Sequence, residues 1–155
     1  MANKIVTVNG MLKDINDNFD WLEAARVGGV SQVMAEPEGE ETTSPITARS
    51  GLVLVPDDGG DPAGALGLTL LDPVAVVDDG KVLTIVSVAA QACTVTLSGP
   101  DDEAGDPTAS AGFNSDATKN LATFGGAIGD NLTLLAYNGE WLVLNSVNIT
   151  LGTAT

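Results

Sequence analysis

Two acidic loops that contain glycine carry the side chains best suited to binding a ligand. The segments DDGGD and DDEAGD offer Asp57, Asp58, Asp61, Asp101, Asp102 and Asp106. Calcium prefers about six to eight oxygen ligands on a flexible backbone, which such loops can supply. Neither loop has the residue spacing of an EF-hand, and β-turns select Asp and Gly for reasons of backbone geometry alone. We therefore expect solvated turns here, with a calcium site as the alternative.

The residue types needed for catalysis are scarce. The chain has no histidine, which removes the commonest general base. Its single cysteine, Cys93, stands on the apolar side of the pattern CTVTL, so we expect a buried and inert thiol. A glycosidase needs two carboxylates about 5 to 10 Å apart, in a cleft usually lined by aromatic residues, and this chain has few aromatics. The glycine-rich turn Gly125–Gly129 lacks the Lys and Ser/Thr of a phosphate-binding loop. The sequence predicts no enzymatic activity and no cofactor.

The charge distribution limits the class of partner. Six basic and 21 acidic residues give a net charge of −15, which argues against nucleic acid and membranes as partners. After Arg49 only Lys81 and Lys119 are basic. If the protein docks on an acidic surface, its N-terminal third is the part that does so. No apolar run is long enough for a signal sequence or a membrane span, so we expect a soluble, non-secreted protein made in the cytoplasm.

The first 45 residues divide into a predicted head and a predicted linker. In residues 1–30, a short strand precedes a helix whose apolar residues Leu12, Ile15, Phe19 and Leu22 recur at spacings of three and four. A helix of roughly 17 residues is unstable alone, so its apolar stripe must pack on the rest of the chain, on other copies or on a partner. Residues 31–45, with four glutamates and two prolines, predict a flexible acidic linker.

Residues 46–155 predict a β domain. Short apolar runs separated by Gly, Asp and Pro turns indicate strands at 51–55, 65–71, 74–77, 81–88, 93–97, 131–137, 140–144 and 147–151. Many short strands with such turns are typical of two-sheet and barrel folds. We predict a mainly β protein, namely an antiparallel β-sandwich or jelly-roll-like domain with a short N-terminal α-helix.

The segment LLAYNGEWLVL predicts a hairpin that is apolar on both faces. Asn138 and Gly139 suit a type I′ turn, which needs positive φ at both central residues. This turn pairs Tyr137 with Glu140, Ala136 with Trp141, Leu135 with Leu142 and Leu134 with Val143. One face then carries Leu134, Ala136, Trp141 and Val143, and the other carries Leu135, Tyr137, Leu142 and Leu144. A hairpin with one solvated face should instead alternate apolar and polar residues.

The segment KVLTIVSV is also apolar on both faces, and no predicted helix in this domain covers either one. A neighbouring subunit is then the simplest cover. We predict a cyclic homo-oligomer, preferably a homotrimer. The predicted interface residues are Val82, Val86, Val88, Leu135, Leu142 and Leu144.

Two longer segments carry a family resemblance. DDGKVLTIVSVAAQACTVTL and NLATFGGAIGDNLTLLAYNGEWLVLNSVNITL resemble the β-domain of head decoration and head-fibre proteins of tailed bacteriophages. The resemblance spans roughly residues 72–151 and lies in the order of the strand, the AAQA-x-TVT segment, the ATFGGAIGD turn and the hairpin. Where histidine is expected in the AAQA segment, this chain has Cys93.

The resemblance implies a non-enzymatic, trimeric virion protein on the outside of the capsid. Its partners would be other copies of itself and the major capsid protein, and its N-terminal segment would dock on the capsid or form a stalk. The candidate docking residues are Lys4, Ile5, Val6, Leu12, Lys13, Ile15, Phe19, Leu22 and Arg26. The alternative is a receptor- or glycan-binding adhesin or tail-fibre module on the same trimeric scaffold, which would use Tyr137 or Trp141.

Overall fold

The computed structural model describes residues 30–34, 43–56, 66–99 and 110–154, and these residues form ten β-strands and no helix. The predicted helix with its docking residues and both acidic loops lie outside the described residues. The strands are β1 Val30–Val33, β2 Thr43–Ile46, β3 Gly51–Val55, β4 Leu66–Leu71, β5 Val82–Ser87, β6 Cys93–Ser98, β7 Leu121–Phe124, β8 Asn131–Tyr137, β9 Glu140–Val147 and β10 Ile149–Gly152. The prediction of a mainly β protein is confirmed.

The strands form two five-stranded sheets. Sheet I has the order β1-β3-β5-β8-β9, and sheet II has the order β10-β7-β6-β4-β2. Residues in β4 and β6 alternate between buried and partly exposed, as expected when one face of a strand meets a core. Buried side chains of both sheets form a single hydrophobic cluster. The two inner faces therefore share one core.

The first six strands are parallel within each sheet, which corrects the prediction of an all-antiparallel domain. The chain passes from sheet I to sheet II and back, so β1, β3 and β5 pair in parallel, as do β2, β4 and β6. Parallel neighbours need a crossover connection, which is usually a helix. Here a strand of the opposite sheet serves as the crossover. Antiparallel pairing begins only with β7 and β8.

The hairpin of β8 and β9 has the predicted register. Asn138 and Gly139 have φ of 52° and 81°, and the four predicted pairs, from Tyr137–Glu140 to Leu134–Val143, are all present. A bulge follows these pairs, between Thr133 and Leu134. Trp141 is fully buried, and its Nε1–H donates to the Leu71 carbonyl at 3.0 Å. The inner face of this hairpin is therefore a major part of the core.

The predicted strand at 74–77 is a turn. Asp78 is buried, and its carboxylate accepts hydrogen bonds from the Val74 N–H at 2.8 Å and from Lys81 Nζ at 2.6 Å. Val76 has a φ of 69°, which a β-branched residue rarely adopts. The carboxylate therefore closes a loop where the apolar run had predicted a strand.

Two other predictions need correction. The predicted linker 31–45 is wrong at both ends, because Val30–Val33 and Thr43–Ile46 are strands of the two sheets; its acidic middle lies outside the described residues. The predicted strand 147–151 is interrupted at Asn148, whose φ of 55° turns the chain from sheet I into sheet II. Strand β7 had no counterpart among the predicted strands.

Candidate functional site

Among the described residues, the side of sheet I that faces away from the core is largely apolar. Pairing across the strands aligns its outward side chains in three rows. The rows are Val82–Leu135–Leu142, Val30–Leu52–Thr84–Thr133–Asn145 and Val33–Leu54–Val86–Asn131–Val147. In a sheet with one solvated face these thirteen positions would be mostly polar, yet nine of them are valine or leucine. We call these three rows the outer face.

The polar members of the outer face bond to one another. The Thr84 and Thr133 hydroxyls lie 3.2 Å apart on adjacent strands, within hydrogen-bonding distance. The Asn145 side-chain amide donates to Asn131 Oδ1 at 3.2 Å. Because these groups already have protein partners, they lose less hydrogen bonding when water is removed than isolated polar groups would. The polar positions therefore do not prevent burial of the face.

The outer face contains no ionisable side chain in its three rows. Glu140 lies at the hairpin end beside the face, and the Ser115 hydroxyl donates to its carboxylate. Lys81 precedes β5 and is bound to Asp78 rather than extended over the face. In a chain with a net charge of −15, a charge-free surface of this kind is the place where two copies can meet with the least repulsion.

The sequence prediction located much of this surface. Val82, Leu135 and Leu142 form one row, and Val86 lies in another. Val88 follows β5 and is 44% exposed, while Leu144 is 55% exposed beside the bulge in β9. These two residues lie at the margins of the face. Whether any of the six forms an interface stays a prediction.

Besides Val147 of β9, four further apolar residues on the outer face were not predicted. Leu52 and Leu54 lie on β3, and Val30 and Val33 lie on β1. The run GLVLV carried a signal for the leucines, because it is apolar at every position after the glycine. No such signal marked Val30 and Val33, because they lie at the start of a stretch whose glutamates and prolines favour a linker.

The Asp130 carboxylate lies among backbone N–H donors of the turn that precedes it. Its carboxylate accepts from the Ala127 N–H at 2.9 Å and from the Asn148 amide at 3.0 and 3.1 Å. Burial alone would raise the pKa of Asp130, but these bonds, with the N–H groups of Gly126 and Gly125, hold it below its usual value. The anion that these donors bind is therefore the carboxylate of Asp130 in the same GGAIGD turn. Its bonds to Asn148 stabilise the corner where the chain passes from sheet I to sheet II.

A second buried carboxylate has the opposite pKa shift. Asp72 accepts from the Ser110 hydroxyl at 2.9 Å and from the Ala111 N–H at 2.7 Å. Burial raises its pKa and outweighs the lowering effect of those bonds. The carbonyls of Leu71 and Asp72 also accept hydrogen bonds from Arg49 at 2.7 and 3.2 Å. This cluster fastens the chain at residue 110 to the end of β4, which is a structural role.

The remaining candidates for chemistry are also buried or separated. Cys93 is 1% exposed, which confirms the expected buried thiol, and burial raises its pKa to about 12. Trp141 is fully buried while Tyr137 is 59% exposed on the opposite face of the hairpin. The two aromatics therefore do not form one stacking platform for a sugar.

The described ranges contain no group of three or more His, Cys, Asp or Glu side chains able to hold a metal ion; the proposed calcium ligands lie outside these ranges. They also contain no helix with the length and apolarity needed to cross a bilayer. No protein-family model matches the chain, and no curated protein matches it significantly. The geometry of the outer face is therefore the main guide to function.

Proposed function

We propose that this chain is a structural protein that self-associates through the outer face of sheet I and decorates the exterior of a bacteriophage capsid as a homotrimer. The single observation that carries the self-association is the outer face, with its three rows of mostly apolar side chains and no charge. The capsid and the number three rest on the resemblance of residues 72–151 to phage head decoration and head-fibre proteins.

Free energy favours covering this face. Full burial of a valine or leucine side chain stabilises by about 1.5–3 kcal/mol, and Val82, Val33 and Val147 are 42%, 59% and 47% exposed. A contiguous apolar patch of this kind is typical of an interaction surface on a soluble protein. A second copy of the chain offers an equally apolar and uncharged surface, so neither partner buries an unpaired carboxylate.

Attachment to a capsid is assigned to residues 1–30, which lie outside the described residues. Three of the six basic residues, Lys4, Lys13 and Arg26, lie in this segment, so half of the positively charged side chains are there to contact an acidic lattice. Three copies in one assembly would present three such arms. Arms that bind weakly alone bind tightly together when their spacing matches the lattice.

The self-association is tested with Val82→Lys, which places a charge in the first row of the outer face. The matched control is Thr123→Lys, an exposed position on the outer side of sheet II. Light scattering should give an oligomer for the wild type and for the control, and a single-chain mass for Val82→Lys. An unchanged oligomer for Val82→Lys contradicts an interface at this row.

The capsid role is tested separately with purified heads that lack decoration. The full-length chain should sediment with the heads, and a chain without residues 1–30 should stay in the supernatant while keeping its oligomeric mass. Heads decorated equally by the truncated chain would contradict docking through the N-terminal segment. Absence of binding by the full-length chain would contradict the capsid role itself.

A further inference from the structure

In the described part of the chain, sheet I ends at β1 on one side and at β9 on the other, and each edge is wholly or partly open. Within the described ranges, β1 pairs with β3 alone. At the other side, the first half of β9 is covered by residues of its own chain, because the Asn114 N–H donates to the Trp141 carbonyl at 3.0 Å and the Val143 N–H donates to Asn114 Oδ1 at 2.8 Å. Along Leu144–Val147 no such cover is seen in the described part of the chain.

The open half of β9 lacks the usual protection of an edge strand. All four residues of Leu144–Val147 are exposed, and the sequence from Trp141 to Thr155 contains no Asp, Glu, Lys, Arg or Pro. Soluble proteins commonly protect such edges with charged residues or proline. The bulge between Thr133 and Leu134 lies opposite the start of this segment, which leaves Asn145–Val147 in regular pairing with β8.

The edge at β1 is held in place and is equally apolar. The Gln32 side chain links β1 to β2 and to the residues that follow it. Its amide donates to the Pro45 carbonyl at 3.0 Å, and its Oε1 accepts from the N–H groups of Thr47 at 2.8 Å and Ala48 at 3.0 Å. Val30 and Val33 are 50% and 59% exposed. Among the described residues, this strand is therefore a fixed edge that has a strand partner on one side only and carries two outward valines.

The two edges match in length and direction. β1 has four residues, and the open half of β9 also has four. β1 runs parallel to β3 and β5, β8 runs antiparallel to β5, and β9 runs antiparallel to β8. β9 and β1 therefore point the same way. Copies related by rotation about an axis along the strands would present the two edges to each other in parallel.

We propose that the open half of β9 in one copy pairs with β1 of the next copy, so that sheet I continues from chain to chain around a closed ring. This proposal rests on the self-association in the proposed function and specifies how it occurs. Main-chain hydrogen bonds would satisfy both edges. The rows of the outer face that start at Val30 and Val33 and end at Asn145 and Val147 would continue across each junction.

The contact is heterologous, so variants of the two edges should complement each other. Leu144→Lys/Val147→Lys disables the β9 edge, and Val30→Lys/Val33→Lys disables the β1 edge. Each double variant alone should have the mass of one chain by light scattering. In an equimolar mixture, the intact β9 edge of one variant can pair with the intact β1 edge of the other, and no further junction can form. The mixture should therefore give a species with the mass of two chains and nothing larger. Thr150→Lys, at an exposed position on the edge strand of sheet II, should assemble like the wild type.

Two results overturn the pairing while leaving self-association intact. One is a β1-edge variant that assembles like the wild type, which would indicate a contact between two β9 edges or between faces alone. The other is a mixture that stays at single-chain mass. Hydrogen exchange on the wild-type chain is a second test, and its result does not depend on whether the variants fold. The amides of Leu144–Val147 and Val30–Val33 should be protected in the assembly and lose protection on dilution, and fast exchange there in a stable oligomer contradicts the pairing. A wild-type chain that is monomeric overturns both proposals.

Discussion

The corner at Asn148 gives a sharp test of how the two sheets are joined. Gly125 lies directly against the Asn148 side chain, and a Cβ on Gly125 would lie 2.1 Å from Asn148 Nδ2 and 2.5 Å from its Cγ. Gly125→Ala therefore expels the amide that donates to both carboxylate oxygens of Asp130. The backbone of Gly125 is not in the left-handed region, so the added methyl acts through this contact alone.

The expected cost follows from two opposing effects. A hydrogen bond to a charged group contributes about 1.5–3 kcal/mol, and Gly125→Ala removes the bond from Asn148 while the Ala127 N–H still serves Asp130. Replacing glycine by alanine also restricts the unfolded chain, which stabilises by about 0.4–1 kcal/mol. We expect a net loss of about 1–2 kcal/mol in the free energy of unfolding.

Urea unfolding at one fixed chain concentration measures this loss, because self-association would make stability depend on concentration. The control is Gly152→Ala, where a Cβ meets no atom within 4 Å and stability should be unchanged or slightly higher. In an Asn148→Gly background, which suits the φ of 55°, Gly125→Ala should cost almost nothing. An equal cost in both backgrounds, or no cost in the wild type, would contradict a destabilising contact between the added methyl and Asn148.

Four further outcomes are expected. Asp130 has a lowered pKa, so the stability it contributes is present above pH 3.8 and is lost as the pH falls through its folded value; Asp130→Asn should flatten that acid limb in pH-dependent urea unfolding. Asp72 has a raised pKa, so its contribution has the opposite sign and is lost as the pH rises from 3.8 through its folded value; Asp72→Asn should remove that decline. Cys93, with a pKa of about 12, should resist a thiol-specific reagent at pH ~8 until the chain is unfolded, and rapid native labelling would contradict its burial. Trp141→Phe should lower the free energy of unfolding by about 2 kcal/mol, measured by urea unfolding, through lost ring volume and the lost bond to the Leu71 carbonyl.

Local sequence signals predicted local structure well. Asn138-Gly139 determined the turn and the register of the hairpin, because few residues tolerate positive φ at two successive positions. The bounds of β3 and β8 match the predicted 51–55 and 131–137. Alternation placed Cys93 in the core. In these segments the hydrophobic pattern and the turn chemistry favour the same structure.

Long-range features were harder to predict. The parallel winding of β1–β6 leaves no local signal, because its crossovers are themselves short strands. The apolar run at 74–77 forms a turn because the Asp78 carboxylate binds the Val74 N–H. Strands β1 and β2 flank glutamates and prolines, whose composition favoured a linker. The predicted outer-face residues emerged from strands that were apolar on both sides, but only the pairing of β1 and β3 extended that face to Val30 and Leu52.

We infer that other copies of this chain cover the uncharged outer face of sheet I. The decisive measurement is the light-scattering mass of the purified wild-type protein over a dilution series. We expect a discrete oligomer, of three chains as the family resemblance implies, which persists until strong dilution. A single-chain mass at every concentration would contradict the claim.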